Sequence, residues 1–289
     1  MNNKKVIFLL FLFIPIIITI TAEKLPSQQE SLEKQKQMNN HYQFALQHFT
    51  NGNYTKAIQE WEEVLKIDPG QVEPTKLIAV AREKISTKNS SMFNEIESAY
   101  IKGNYSSALS KTNELISSDP TNTDFKRLAD KLQTVNNLFG NITNKDATSQ
   151  LLRISIYNYI KDTKPKTIAN AIIFASQLSP NDKNIKKFME LLQSQYYDTF
   201  ASIKLLPEMN LVEQKLNTAL NCVYDKKFDG AVFECNEVLE LEPENVMALK
   251  RLGSAYYGLK KPEKAKEIWR KARKIAPDDE ELKRFLSVE

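Results

Sequence analysis

The stretch LKRLGSAYYGLKKPEKAKEIWRKARKIAP, Leu249 to Pro277, decides the fold. Counting back from Pro277, Trp269 stands eight residues earlier, Ala265 twelve and Gly253 twenty-four. The same offsets from Pro69 give Trp61, Ala57 and Ala45, and from Pro243 they give Cys235, Ala231 and Ala219. From Pro120 they give Thr112, Ala108 and Ile96; from Pro180, in the loosest copy, Ile172, Ile168 and Ile156. Small residues at the two earlier sites let a pair of antiparallel helices approach closely. The larger residue fills the gap to the next unit. Proline, which has no N–H, ends the second helix. Gly52, Gly103, Pro165 and Pro262 fall between the paired helices, where a turn is required.

These residues resemble the tetratricopeptide repeat, a helical hairpin of about 34 residues. Leu249, Leu252, Gly253, Tyr256, Ala265, Trp269, Ala272 and Pro277 follow that family's pattern in order, and FALQHFTNGNYTKAIQEWEEVLKIDP is the next best copy. The resemblance implies an all-α chain, a right-handed α-solenoid of tetratricopeptide hairpins with extra linking helices. A single hairpin cannot bury its apolar face, whereas stacked copies bury a continuous core and leave an extended concave surface. Hairpins are expected at about 38–71, 89–122, 149–182, 212–245 and 246–279.

The terminal prolines, Pro69, Pro120, Pro180, Pro243 and Pro277, are unevenly spaced, and only the last interval is a bare repeat. The first three intervals carry extra apolar residues at helical spacing: Leu77, Ala81 and Ile85; Phe125, Leu128, Leu132, Val135 and Phe139; Ile185, Phe188, Leu192, Tyr196 and Phe200. Residues 38–204 are therefore expected as three degenerate hairpins, each followed by a linking helix. Residues 205–289 are expected as two tandem repeats plus a C-terminal helix. Pro207 disfavours helix before it, which places a subdomain boundary at KLLPEMN, Lys204–Asn210. Gly140–Ala147 reads as a loop and residues 23–37 as a polar linker.

Residues 1–22 have the form of a secretory leader: MNNKK, the fifteen-residue apolar run Val6–Ile20, then Ala22. Two readings stay open, a signal peptide cleaved after Ala22 or a retained N-terminal membrane anchor. Both place the remainder on the extracytoplasmic, periplasm-like side of a membrane, because Lys4 and Lys5 hold the N-terminus inside. The formal charge of +4 falls to +2 once the leader is removed. Without a basic stripe, nucleic acid is not expected as a partner.

No phosphate loop, nucleophile elbow, zinc-helix pair or dinucleotide glycine pattern occurs, so neither a catalytic site, a cofactor nor a metal is expected. His41 and His48 share one face of the first helix; His48 holds a packing position in the repeat register. Cys222 and Cys235 lie on opposite helices of one hairpin, offset by about 6 Å along the axis. That offset predicts free thiols rather than a disulfide. Four N-x-S/T sequons, at Asn53, Asn89, Asn104 and Asn141, matter only in a source that glycosylates exported chains.

In the family that the chain resembles, the first helix of each hairpin lines the groove. That resemblance nominates Tyr42, Leu46 and Phe49 in the first unit, and Asn217, Lys250, Arg251, Ser254 and Tyr257 in the last two. Packing of Tyr42 and Phe49 against a linking helix is the competing expectation. Asn217, Lys250 and Arg251 match only part of the set with which some family members clamp a C-terminal carboxylate. The function implied is a non-enzymatic scaffold that binds a protein or peptide of an envelope assembly. Two alternatives stand beside it: a small-ligand or accessory-enzyme pocket in residues 123–211, lined by LLQSQYYDTF, and self-association through the linking helices.

Overall fold

The computed structural model describes residues 28–287, and every regular element among them is a helix. The leader expectations for residues 1–22 fall outside that range. No helix of the described residues is long and apolar enough to cross a membrane. The chain divides into two compact units, Met1–Ile85 and Ser86–Glu289.

The first unit holds α1 (Gln28–Thr50), α2 (Tyr54–Ile67) and the beginning of α3 (Val72–Ile101). Its core is Ala45, Ala57, Trp61, Ile78 and Ala81, with Trp61 fully enclosed. The helix α1 begins inside the expected polar linker. Residues 28–37 are helical because QQESLEKQKQ carries no breaker and gains a Glu30–Lys34 pair one turn apart.

The expected linking helix after Pro69 is likewise not separate. No glycine or proline interrupts Thr75 to Ile101, so α3 runs for 30 residues and includes the first helix of the second hairpin.

In the second unit α4 (Tyr105–Ser118) completes that hairpin, and α5 (Thr123–Phe139) is the expected linking helix, burying Phe125, Ala129, Leu132 and Val135. Next come the third hairpin, α6 (Ala147–Lys161) and α7 (Pro165–Leu178), and its linking helix α8 (Lys183–Gln195). The latter breaks at Tyr196, so the short α9 (Tyr197–Ser202) follows rather than one continuous helix. The tandem hairpins are α10 (Leu211–Tyr224) with α11 (Phe228–Leu241), and α12 (Val246–Gly258) with α13 (Pro262–Ile275). They are followed by α14 (Glu280–Ser287).

The hairpins share backbone punctuation. Asp68, Asp119, Ser179, Glu242 and Ala276 each precede a terminal proline and each leave helical ψ, with φ between −125° and −143° and ψ between 66° and 97°. The proline Cδ forbids the helical conformation of its predecessor. At the turn inside four hairpins one residue is left-handed: Gly52 (φ 74°), Gly103 (φ 77°), Lys226 (φ 59°) and Lys260 (φ 57°). The third turn uses Asp162 and Lys164 instead. Two residues past the proline, Asn122, Asp182, Asn245 and Asp279 accept backbone N–H bonds that start the next helix.

The core continues across the segment Lys204–Asn210. One core runs from Ile96 through Leu211, Val238 and Ala248. The reason is α7, in which Thr167 to Ala175 are buried without interruption, so the helix needs cover on every side. It receives that cover from α6 and α8, and from α10 and α11 beyond the Pro207 segment.

Candidate functional site

The helix α12 presents three of the nominated side chains to one cavity. Lys250, Arg251 and Ser254 line a hollow of about 260 Å³ with Leu220 and Val223 of α10, Met247 of α12, and Glu281 and Phe285 of α14. Gly253 lets α12 lie against α13: a Cβ there would stand 2.2 Å from Trp269 Nε1. The indole N–H donates instead to the Lys250 carbonyl at 3.1 Å, which fixes the turn of α12 that carries both cations.

The two cations differ. Lys250 is buried and paired inside the chain, 2.9 Å from Asp279 and in contact with Glu281. Burial works against its charged form, but the hydrogen bonds of Glu281 and Asp279 outweigh that and hold its pKa above the ordinary lysine value. Arg251 lacks such a partner among the described residues: its Nη1 is buried with no hydrogen-bond acceptor, and burial lowers its pKa. A guanidinium without a carboxylate beside it is the most demanding polar group of the pocket. Ser254 Oγ donates to the Lys250 carbonyl.

The other nominated residues lie elsewhere. Tyr257, about half exposed, packs with its ring 6.0 Å from Trp269. Asn217 donates to Met209 Sδ at 3.5 Å and does not line the cavity. Tyr42, Leu46 and Phe49 belong to the first unit and pack on its core; the Phe49 ring is 5.3 Å from Tyr54 and 5.6 Å from Trp61. All three are partly buried, and the ring contacts of Phe49 are to α2. Lys250, nominated for the groove, is paired inside the chain with Asp279 and Glu281.

Sequence reasoning missed Leu220, Val223, Met247, Glu281 and Phe285. The acidic run Asp278–Glu281 directly after the terminal proline was the available sign that Lys250 has an internal partner. A buried polar knot was missed too. Lys215 contacts Glu237, which is also 2.8 Å from Lys166, and Asn170 of α7 donates to Glu237 at 3.4 Å. It ties α7 to α10 and α11.

His41 Nδ1 lies 2.7 Å from Glu60 Oε2, a bond between α1 and α2. Cys222 and Cys235 are free thiols; Cys235 is fully buried, and desolvation pushes its pKa up to about 12, while Cys222 is only half buried. The aromatics of LLQSQYYDTF differ in exposure. Tyr196 and Phe200 pack on the core and Tyr197 is exposed, while Phe139 and Tyr159 stack edge-on against Phe188.

A family model described as Tetratricopeptide repeat matches residues 223–288. Among curated proteins, a peptidyl-prolyl cis-trans isomerase of Arabidopsis thaliana, FKBP42, is 34% identical over 99 residues, 34% of this chain and 25% of that protein. The chain thus matches about a quarter of that relative's length. The match on α11 to α14 carries the small-residue, tryptophan and proline positions that recur in the other hairpins, and the chain contains tetratricopeptide repeat sequence over residues 223–288.

Proposed function

We propose that the chain is a non-enzymatic scaffold that holds an acidic segment of a partner protein in the hollow between α10, α12 and α14. The observation that carries this reading is Arg251, a half-buried side chain whose Nη1 is enclosed and unpaired, in a cavity walled by Leu220, Val223, Met247 and Phe285 together with Lys250, Ser254 and Glu281. A carboxylate supplies the missing acceptors, and the apolar walls keep water from weakening the contact. Repeats of this family support protein or peptide partners in general. The partner is proposed to belong to an envelope assembly on the extracytoplasmic side of a membrane, on the strength of the leader-like segment Met1–Ala22. The isomerase activity named for the Arabidopsis relative is not carried over, because only a quarter of that protein is matched.

The test is affinity capture from solubilised envelope with a chain that begins at Glu23, beside an Arg251→Glu variant of equal helicity. Expected is a partner retained by the first and lost by the second. Equal retention by both would remove the pocket from the proposal. Recovery of the partner only from cytosol would remove the location.

A further inference from the structure

The face of α12 and α13 that α14 covers has the character of a docking slot. Asp279 stands two residues past Pro277, as Asn245 stands two past Pro243, and each caps the helix that follows. The helix α14 therefore starts where the first helix of another hairpin would start, but it is only eight residues long. Three of its side chains hold it. Glu281 pairs with Lys250, Leu282 is fully buried, and Phe285 stacks on Trp269 with centroids 4.8 Å apart. So short a helix is marginal in water when isolated, and its order depends on these contacts.

We propose that this slot accepts an amphipathic helix of a partner protein, and that α14 is its resident competitor. The contacts define what fits: a carboxylate for Lys250, followed one and four residues later by large apolar side chains, the spacing of Glu281, Leu282 and Phe285. Undocking α14 frees Lys250 beside Arg251 and opens the cavity wall made by Glu281 and Phe285. The slot thus regulates the pocket of the proposed function and rests on that reading for its biological use. Its occupancy is separately measurable.

The experiment uses the full chain and a fluorescent peptide of residues 278–287, DDEELKRFLS. Anisotropy is followed on titration with the unaltered chain, with Glu281→Gln, and with Glu281→Gln/Phe285→Ala, each checked by circular dichroism. The doubly altered chain is expected to bind the peptide at least about tenfold more tightly than the unaltered one, because its own helix competes less. Glu281→Gln alone, the milder change, should fall between them. A peptide with Lys at the position of Glu281 should lose binding. Equal affinity for all chains, or no binding by the loosened ones, overturns the proposal. A loosened chain that dimerises in sedimentation assigns the slot to a second copy and overturns it as well. The Arg251→Glu capture result is independent of all these outcomes, so failure of the pocket and failure of the slot are told apart.

Discussion

Gly253 and Trp269 are in direct contact across α12 and α13, with room for no side chain between them. A Cβ on Gly253 would meet the indole at 2.2, 2.4 and 2.7 Å, against ring atoms of a buried side chain. The equivalent pair in the first unit, Ala45 and Trp61, accommodates a methyl group, and there the indole N–H has no partner. The glycine is what brings Trp269 Nε1 to the Lys250 carbonyl.

Gly253→Ala is therefore expected to cost about 2–3 kcal/mol, an overpacking penalty plus a lost hydrogen bond. Denaturant melts of the variant would show it as a lower midpoint with an unchanged slope. A cost under about 0.5 kcal/mol, the size of an ordinary surface change, would mean that the two helices slide apart freely.

The left-handed turn residues give a pair of opposite predictions. Lys226→Gly and Lys260→Gly should each stabilise by about 1 kcal/mol by relieving strain at positive φ. Gly52→Ala and Gly103→Ala should both destabilise, the second by more. A Cβ on Gly52 meets nothing within 4 Å, whereas one on Gly103 would stand 1.9 Å from the Ile142 carbonyl oxygen. Thermal unfolding of the four variants orders them.

Glu237 and Lys215 are each less than a tenth exposed and neutralise one another. Glu237→Ala leaves Lys215 buried with Glu234 at 3.4 Å as its remaining acid, and should cost about 3 kcal/mol. Lys166→Ala, at the exposed end of the same knot, should cost under about 1 kcal/mol. Chemical denaturation of both variants checks the ratio.

The attachment of α14 should depend on pH. Asp279 lies below the usual carboxyl value of 3.8, held there first by the hydrogen bond from Lys250 and then by the Leu282 and Glu281 amides. A depressed acid stabilises above its unfolded pKa and loses that contribution as pH falls through the folded one. Lys250 is raised above 10.5, so its share is present below that value and fades as pH climbs past the folded one. Protection of the Leu282 and Phe285 amides, taken relative to intrinsic exchange at each pH, should hold between these limits and fall below pH 3.8. Protection unchanged in acid well below that value would mean that apolar contacts alone hold the helix.

Much of this architecture was readable beforehand. The five prolines stop helices by restricting the residue before them, a local effect that needs no tertiary information. The α3 fusion is also local, since nothing between Thr75 and Ile101 breaks a helix; counting repeat units hid it. The reach of the core past Pro207 was not readable, because a helix apolar on all sides announces only that it is covered and not by what. In the pocket, Lys250, Arg251 and Ser254 could be placed together, being on one helix within four positions. Phe49 could not be assigned, since an apolar side chain on a first helix serves a groove or a neighbouring helix with the same spacing. Whether Lys250 is free depended on a carboxylate 31 positions later, Glu281.

Because Thr167–Ala175 lacks any solvent-facing side, a nascent chain carries an unfinished core while it is being made. The residues that cover α7 from its far side, Leu211, Val212, Val238 and Leu241, emerge from synthesis some 40 to 70 positions later. A fragment cut at residue 204 should therefore be an aggregating product rather than a smaller working protein, and trimming for expression should respect the span from Ser86 to Ser287 as one piece.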